Sequence, residues 1–301
     1  MKRNPTPASL QRPASWAAAL AGLLLAACGG GGSGGSNVAV TAFSATTVRY
    51  SETMTVTLVG TGLDGALTLS SPGCRSFARS TTEPFVSSAT TAYYTCTVSG
   101  ATGDQVVTVS AGGAVLAQVP FNTPVPQVTM LLSNGAAVSG TLVMTLNPAA
   151  APVTVDNFLA YVRSGFYNGT VIHRHAPNFV LQGGGFAAPL TAGGSSPVPK
   201  PTQPPIVLEV GRGLSNTALS VAMARTNELN SATSQFFINL VNNPALDTAS
   251  GGYAVFGQVT AGAEVITASR NAPCLAWSGF LPPGDCLPSP NIVISTASQT
   301  R

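Results

Sequence analysis

Residues Ile172 to Phe186 read I-H-R-H-A-P-N-F-V-L-Q-G-G-G-F. The 301-residue chain has two histidines, and both stand here, His173 and His175, on either side of Arg174. Histidines at i and i+2 of a strand share a face, which could hold a metal. A useful site needs a third protein ligand, but no histidine remains and no carboxylate lies between Asp156 and Glu209. No metal site is expected, and His173 is expected to bond the wall of the fold. Gly183-Gly184-Gly185 is followed by neither Lys-Ser/Thr nor a helix start, so it marks a turn or a close backbone approach, not a phosphate loop. One permanent charge is left, Arg174, with Phe179, Val180, Gln182 and Phe186 near it in sequence.

The segments around this stretch are mostly β. V-T-M-L-L-S-N-G and G-T-L-V-M-T-L read as a hairpin turned at Asn134-Gly135. Val155, Phe158, Leu159 and Val162 have helical spacing, which predicts a helix opened by a Thr154 cap and stopped by Gly165. Strand-like runs recur at 171–173, 179–182, 220–223, 235–240, 253–259 and 291–295, with a second short helix near Gly262 to Ser269. Closing these strands into an antiparallel β-barrel capped by two helices would bury them all, over residues 126–301. The proline-rich run after Gln182, P-L-T-A-G-G-S-S-P-V-P-K-P-T-Q-P-P, predicts an extended surface loop.

Ahead of the Pro124-Val125-Pro126 break, residues 37–122 alternate in short β-branched runs such as M-T-V-T-L-V and Q-V-V-T-V-S, separated by Gly-rich turns. That pattern predicts a small β-sandwich, loosely Ig-like because Tyr94 stands two places before Cys96. Its few charges are scattered, which suits a spacer or adhesive module. A third role, docking cell wall or a partner complex, stays open for this domain.

The first 27 residues read as a signal peptide: a basic start, then an apolar stretch from Ala14 to Ala27 too short to span a bilayer comfortably. Leu25-Ala26-Ala27-Cys28 resembles the lipobox of bacterial lipoproteins, which implies a lipidated Cys28. Gly29 stands where an Asp would favour inner-membrane retention, so an outer-membrane anchor facing the periplasm is expected. Residues 28–36 would form a flexible Gly/Ser tether, in which a G-x-S-x-G match at Gly31 to Gly35 lacks the strand and helix of a hydrolase elbow. Without Lys2, Arg3 and Arg12, ten basic residues face ten acidic ones, so nothing attracts nucleic acid. In an oxidising compartment the four other cysteines pair, and nearest neighbours, Cys74 with Cys96 and Cys274 with Cys286, keep each bridge inside one domain.

F-Y-N-G-T-V-I-H-R-H-A-P-N-F-V-L-Q-G-G-G-F, with A-P-V-T-V-D-N-F-L-A-Y-V before it and A-M-A-R-T-N-E-L-N-S-A-T-S-Q-F-F-I-N-L, A-L-D and Y-A-V-F-G-Q-V after it, closely resembles the cyclophilin-type peptidyl-prolyl cis-trans isomerases. The likeness runs from about Val128 to Thr296 and is greatest to the bacterial branch, which has M-A-R-T. It implies that Arg174 is the principal catalytic residue, assisted by Gln182 and Phe179. Phe179, Phe237 and Leu246 would line the pocket for the substrate proline, with Val180 and Met223 nearby. Gln182 and Gln235 would hold the substrate backbone, Ala224 and Arg225 would border the peptide, and Tyr253 stands where bacterial members have Tyr. The resemblance implies no cofactor. The expected partners are unfolded or flexible proline-containing polypeptides, met by a monomer. Ala245 departs from the pattern, since the family has Trp or Phe there. This keeps open a non-catalytic proline-peptide-binding or chaperone module on the same barrel.

Overall fold

The computed structural model describes residues 38–301; the leader, Cys28 and the tether lie outside the described residues. Two antiparallel sheets form the first part of the chain. They contain β1 (Ala39–Ala45), β2 (Thr53–Thr61), β3 (Thr68–Ser70), β4 (Ala78–Arg79), β5 (Thr91–Thr97), β6 (Gly103–Ala111) and β7 (Ala114–Thr123), ordered β1-β2-β5-β4 and β3-β6-β7. Alternation along β2 and β5 turns Met54, Val56 and Leu58, and Ala92, Tyr94 and Cys96, inward against Val107, Val109 and Val119. The expected Cys74–Cys96 disulfide is present. Cys74 pairs with Val98, just past Cys96, so the bridge fastens the edge of one sheet and does not cross between sheets. Tyr94 also departs from the immunoglobulin pattern, because its hydroxyl accepts a hydrogen bond from Arg79 Nη1 at 3.2 Å and makes none to the backbone among the described residues.

After a three-residue connection the second part begins with β8 (Gln127–Ser133), β9 (Ser139–Leu146), α1 (Pro152–Arg163), β10 (Thr170–Ala176) and β11 (Val180–Ala187). It continues through β12 (Ser220–Met223), β13 (Phe236–Asn239), β14 (Val255–Ala261), α2 (Ala263–Asn271), β15 (Cys274–Ala276), β16 (Cys286–Pro288) and β17 (Ile292–Gln299). Eight antiparallel strands run β11-β13-β12-β14-β9-β8-β17-β10, and β10 pairs back onto β11. The barrel is therefore closed and has no free edge. Its interior is aromatic at the centre, with Phe158 of α1 4.9 Å from Phe256, 5.2 Å from Tyr167 and edge-on to Phe236 at 5.6 Å.

Three local expectations change. The β8–β9 connection is five residues long, not a two-residue turn, and Asn134 Oδ1 accepts from the N–H groups of Ala136 and Val138, each at 3.0 Å. Helix α1 starts two residues earlier than Thr154, at Pro152, whose fixed φ suits a first helical position. Thr154 caps nothing; its N–H and hydroxyl both donate to buried Glu209 Oε2, at 2.8 and 2.9 Å, so a carboxylate distant in sequence serves the helix's positive end. The proline-rich run is a surface loop, as expected, fastened by Lys200 N–H to Gly185 O at 2.9 Å and Gln203 N–H to Tyr161 Oη at 2.8 Å. No helix among the described residues is long and apolar enough to cross a membrane.

The two parts interlock. Tyr50, fully buried, packs into the core of the barrel, and its backbone carbonyl accepts from Gln299 Nε2 at 3.0 Å. Arg49 Nη1 donates to Gln299 O at 2.6 Å, Arg163 Nη2 to Ser51 Oγ at 3.2 Å, and Arg75 pairs with Asp156 of α1.

Candidate active site

Strand register builds the site. Arg174 on β10 stands opposite Gln182 on β11, Gln182 opposite Phe237 on β13, and Phe237 opposite Ala222 on β12. Side chains along such a transverse row share one face of the sheet. It is the outer face, because Leu181 on β11, Phe236 and Ile238 on β13 and Val221 on β12, one step away along their strands, all lie in the barrel core.

That parity sorts the expected residues. Val180, Phe237, Ala222, Val255 and Ala176 form a small apolar cluster outside the barrel, with Phe179, Ala224, Leu246, Leu214 and Tyr253 packed around it. A cleft of about 190 Å³ opens above it, bordered by Arg174, Phe179, Val180, Gln182, Ala224, Arg225, Phe237, Leu246 and Tyr253. Met223 does not border it. Pairing with Phe236, it points inward and is buried in the barrel core, because on β12 only every second residue can face the cleft. Gln235 does not line the cleft either, but its Oε1 accepts from Gln182 Nε2 at 3.0 Å. Gly185 makes room for it: a Cβ there would lie 2.7 Å from the Gln235 side chain.

The guanidinium of Arg174 is held at two nitrogens. Nη1 donates to Gln182 Oε1 at 3.0 Å, and Nε donates to Asp285 Oδ2 at 2.6 Å, an ion pair whose side chains keep 23% and 12% of their exposure. Its Cζ lies 6.0 Å from the Phe179 ring centre. A guanidinium has five N–H donors, so three are without a hydrogen-bond partner among the described residues. The opposite wall is held by Arg225, whose Cζ lies 4.6 Å from the Tyr253 ring centre and whose N–H groups donate to the carbonyls of Gly252, Ser250 and Thr226. Tyr253 in turn meets Phe237 edge-on at 5.7 Å. Ala245 is exposed beside Leu246, so no aromatic ring stands at that part of the rim.

Neither histidine lines the cleft. His173 is buried edge-on against Phe186 at 4.8 Å, and its Nδ1 has no hydrogen-bond partner among the described residues. Burial pushes its pKa down to about 4, with a backbone hydrogen bond at Val171 opposing and the charge of Arg174 adding. His175 lies beside the Cys274–Cys286 bridge, its Nδ1 3.9 Å from each sulfur, and burial likewise lowers its pKa. The fold therefore does group His175 with Cys274 and Cys286, three potential ligands within 4.8 Å, which their spacing in the chain concealed. With the two sulfurs joined to each other, neither is a free thiolate ligand.

The residue missed from the sequence is Asp285. Its signal in the sequence is its place next to Cys286, inside the segment that the Cys274–Cys286 pair closes. Residues 274–288 fold back as the β15–β16 hairpin, and pairing of Cys286 with His175 sets that hairpin on β10 beside Arg174.

An arginine beside an apolar cup on the outside of a closed eight-stranded barrel is what the resemblance to the cyclophilin-type isomerases led us to expect. The family model for cyclophilin type peptidyl-prolyl cis-trans isomerase/CLD matches residues 129–296, more than half of the chain. The chain belongs to the cyclophilin-type peptidyl-prolyl cis-trans isomerase family. Among its relatives, peptidyl-prolyl cis-trans isomerase cyp18 of Streptomyces antibioticus is 50% identical over 137 residues, which are 44% of this chain and 78% of that one. Peptidyl-prolyl cis-trans isomerase A of Dickeya dadantii is 47% identical over 129 residues, 42% of this chain and 64% of its own. The enzyme of Acinetobacter baylyi is 40% identical over 171 residues, 56% and 83%. A Cryptosporidium parvum cyclophilin solved in the presence of the dipeptide Ala-Pro is 23% identical with a TM-score of 0.45, covering 58% of this chain and 99% of that one.

Proposed function

We propose that the chain accelerates rotation about X-Pro bonds by hydrogen bonding from Arg174 to the prolyl nitrogen while Phe179, Phe237 and Leu246 hold the ring. The observation that carries this is a partly buried guanidinium with unpartnered N–H groups at the border of an apolar cleft. Rotation is slow because the planar amide is conjugated, and uncatalysed exchange takes roughly 10 to 100 s. Nothing has to be attacked or deprotonated. In the twisted transition state the nitrogen regains a lone pair and accepts a hydrogen bond that the planar amide cannot. A permanent cation at that point binds the twisted form selectively, and only such differential binding raises the rate.

Reaching the millisecond range takes about 10⁴ to 10⁵, or roughly 5.5 to 7 kcal/mol. One charge-assisted hydrogen bond supplies part of it. Fixing the ring in the cup and orienting the flanking carbonyls through Gln182, backed by Gln235, supplies the rest. In a proline-peptide isomerisation assay Arg174→Ala is expected to lose most activity while keeping the fold; full activity in that variant removes the mechanism. Exposed Ala245 supports one further reading, a binding module without acceleration. The same assay separates the two, since that reading requires peptide affinity in a wild-type protein that does not speed exchange.

The substrates we infer are unfolded or flexible exported proteins, met on the periplasmic side of the envelope by an enzyme lipidated at Cys28. The leader, the Leu-Ala-Ala-Cys sequence and the two disulfides support this location. It predicts that the full chain fractionates with membranes and that Cys28→Ser frees it; a wild-type chain found wholly soluble overturns it.

A further inference from the structure

We propose that Asp285 is a positioning residue, which holds Arg174 so that its unpartnered N–H groups face the bound X-Pro bond. The inference rests on the reading of Arg174 given above. An arginine side chain carries about 2 kcal/mol of rotamer entropy, and a cation that must meet a nitrogen only at the moment of twisting gains from being fixed beforehand. Two acceptors on different nitrogens fix the plane of a guanidinium; one alone lets it swing. Gln182 supplies the first and Asp285 the second.

Several features suit Asp285 to this task. Its carboxylate makes no other side-chain hydrogen bond among the described residues, and it is largely shielded from water, where an ion pair is screened less. It is delivered by a short hairpin whose two strands are joined by the Cys274–Cys286 disulfide and whose Cys286 pairs with His175, the residue after Arg174. The carboxylate thus sits one residue beyond a strand pair and next to a covalent link, so its place on Arg174 is set by backbone, not by a free loop.

The opposite role, a carboxylate that damps the cation, makes the contrary prediction. The test measures kcat and KM for wild type, Asp285→Ala, the nearly isosteric Asp285→Asn, Asp285→Glu, Arg174→Ala and the Arg174→Ala, Asp285→Ala double variant. With Asp285→Ala, kcat is expected to fall about tenfold while KM stays within about twofold, because Asp285 touches no substrate. Asp285→Asn falls less, and Asp285→Glu recovers part of the loss. In the Arg174→Ala background, removal of Asp285 costs nothing further. The Arg174 Nε–H resonance should exchange with water faster once Asp285 is gone. Wild-type or higher kcat in both Asp285→Ala and Asp285→Asn, with Arg174→Ala inactive, overturns the positioning role alone. An equal loss in the presence and absence of Arg174 also overturns it. Full activity in Arg174→Ala removes the catalytic reading and this inference with it.

Discussion

His173 shows how a side chain beside the working arginine acts on stability. Its imidazole is packed against Phe186 with an unpartnered Nδ1, and its pKa falls from 6.5 to about 4, chiefly through burial. Below pH 6.5 the unfolded chain takes up a proton there, while the folded chain does so only near pH 4. The stability tied to the neutral ring is therefore complete above about pH 6.5 and is lost as pH falls through the window toward 4, to an extent on the order of 3 kcal/mol. Urea unfolding of wild type and His173→Phe at pH 7 and pH 4 checks this. The variant should lose less stability on acidification by about that amount; an unchanged difference between the two pH values assigns the acid sensitivity elsewhere. At this scale Arg174, Phe179, Gln182 and Phe237 were legible through the resemblance of their motifs to the cyclophilin-type isomerases, which assigns residue types to places along the chain. It misjudged Met223, although alternation along β12 puts Met223 and Ala222 on opposite faces, and parity alone could have corrected this.

At the scale of elements, the β15–β16 hairpin joins a covalent bridge to the strand that carries Arg174. Its bridge spans twelve residues in sequence, and closing a loop of that size is worth about 3 kcal/mol in the chain-entropy account. Replacing both Cys274 and Cys286 by Ala should therefore lower global stability by up to that amount. It should also reduce kcat in the manner of Asp285→Ala, because the carboxylate depends on the hairpin for its place. Thermal melts and the isomerisation assay on the same sample read both effects; unchanged values in each would show that strand pairing alone holds the hairpin. Helix α1 teaches a related lesson. Its apolar spacing was legible, but its start was not, since the group that serves its N-terminus is Glu209, 55 residues beyond Thr154.

For the whole molecule, the two-sheet domain does more than stand beside the barrel. Tyr50, from the connection between β1 and β2, completes the barrel core, and burial raises the pKa of its hydroxyl to about 12. Tyr50→Ala is expected to cost about 3 to 5 kcal/mol, as other large-to-small core changes do. Urea unfolding monitored through the barrel measures it; a loss under about 1 kcal/mol would mean that the domains fold independently of this contact. The sequence by itself determined the closed barrel and the pairing of the cysteines, because strand periodicity and cysteine spacing carry that information along the chain, and it named most of the cleft through the resemblance of its motifs to the family. Only the tertiary structure decided that Asp285 meets Arg174, that Glu209 serves α1 and that Tyr50 belongs to the barrel. Each of these is a single contact between segments far apart in sequence, and no periodicity within either segment encodes its partner.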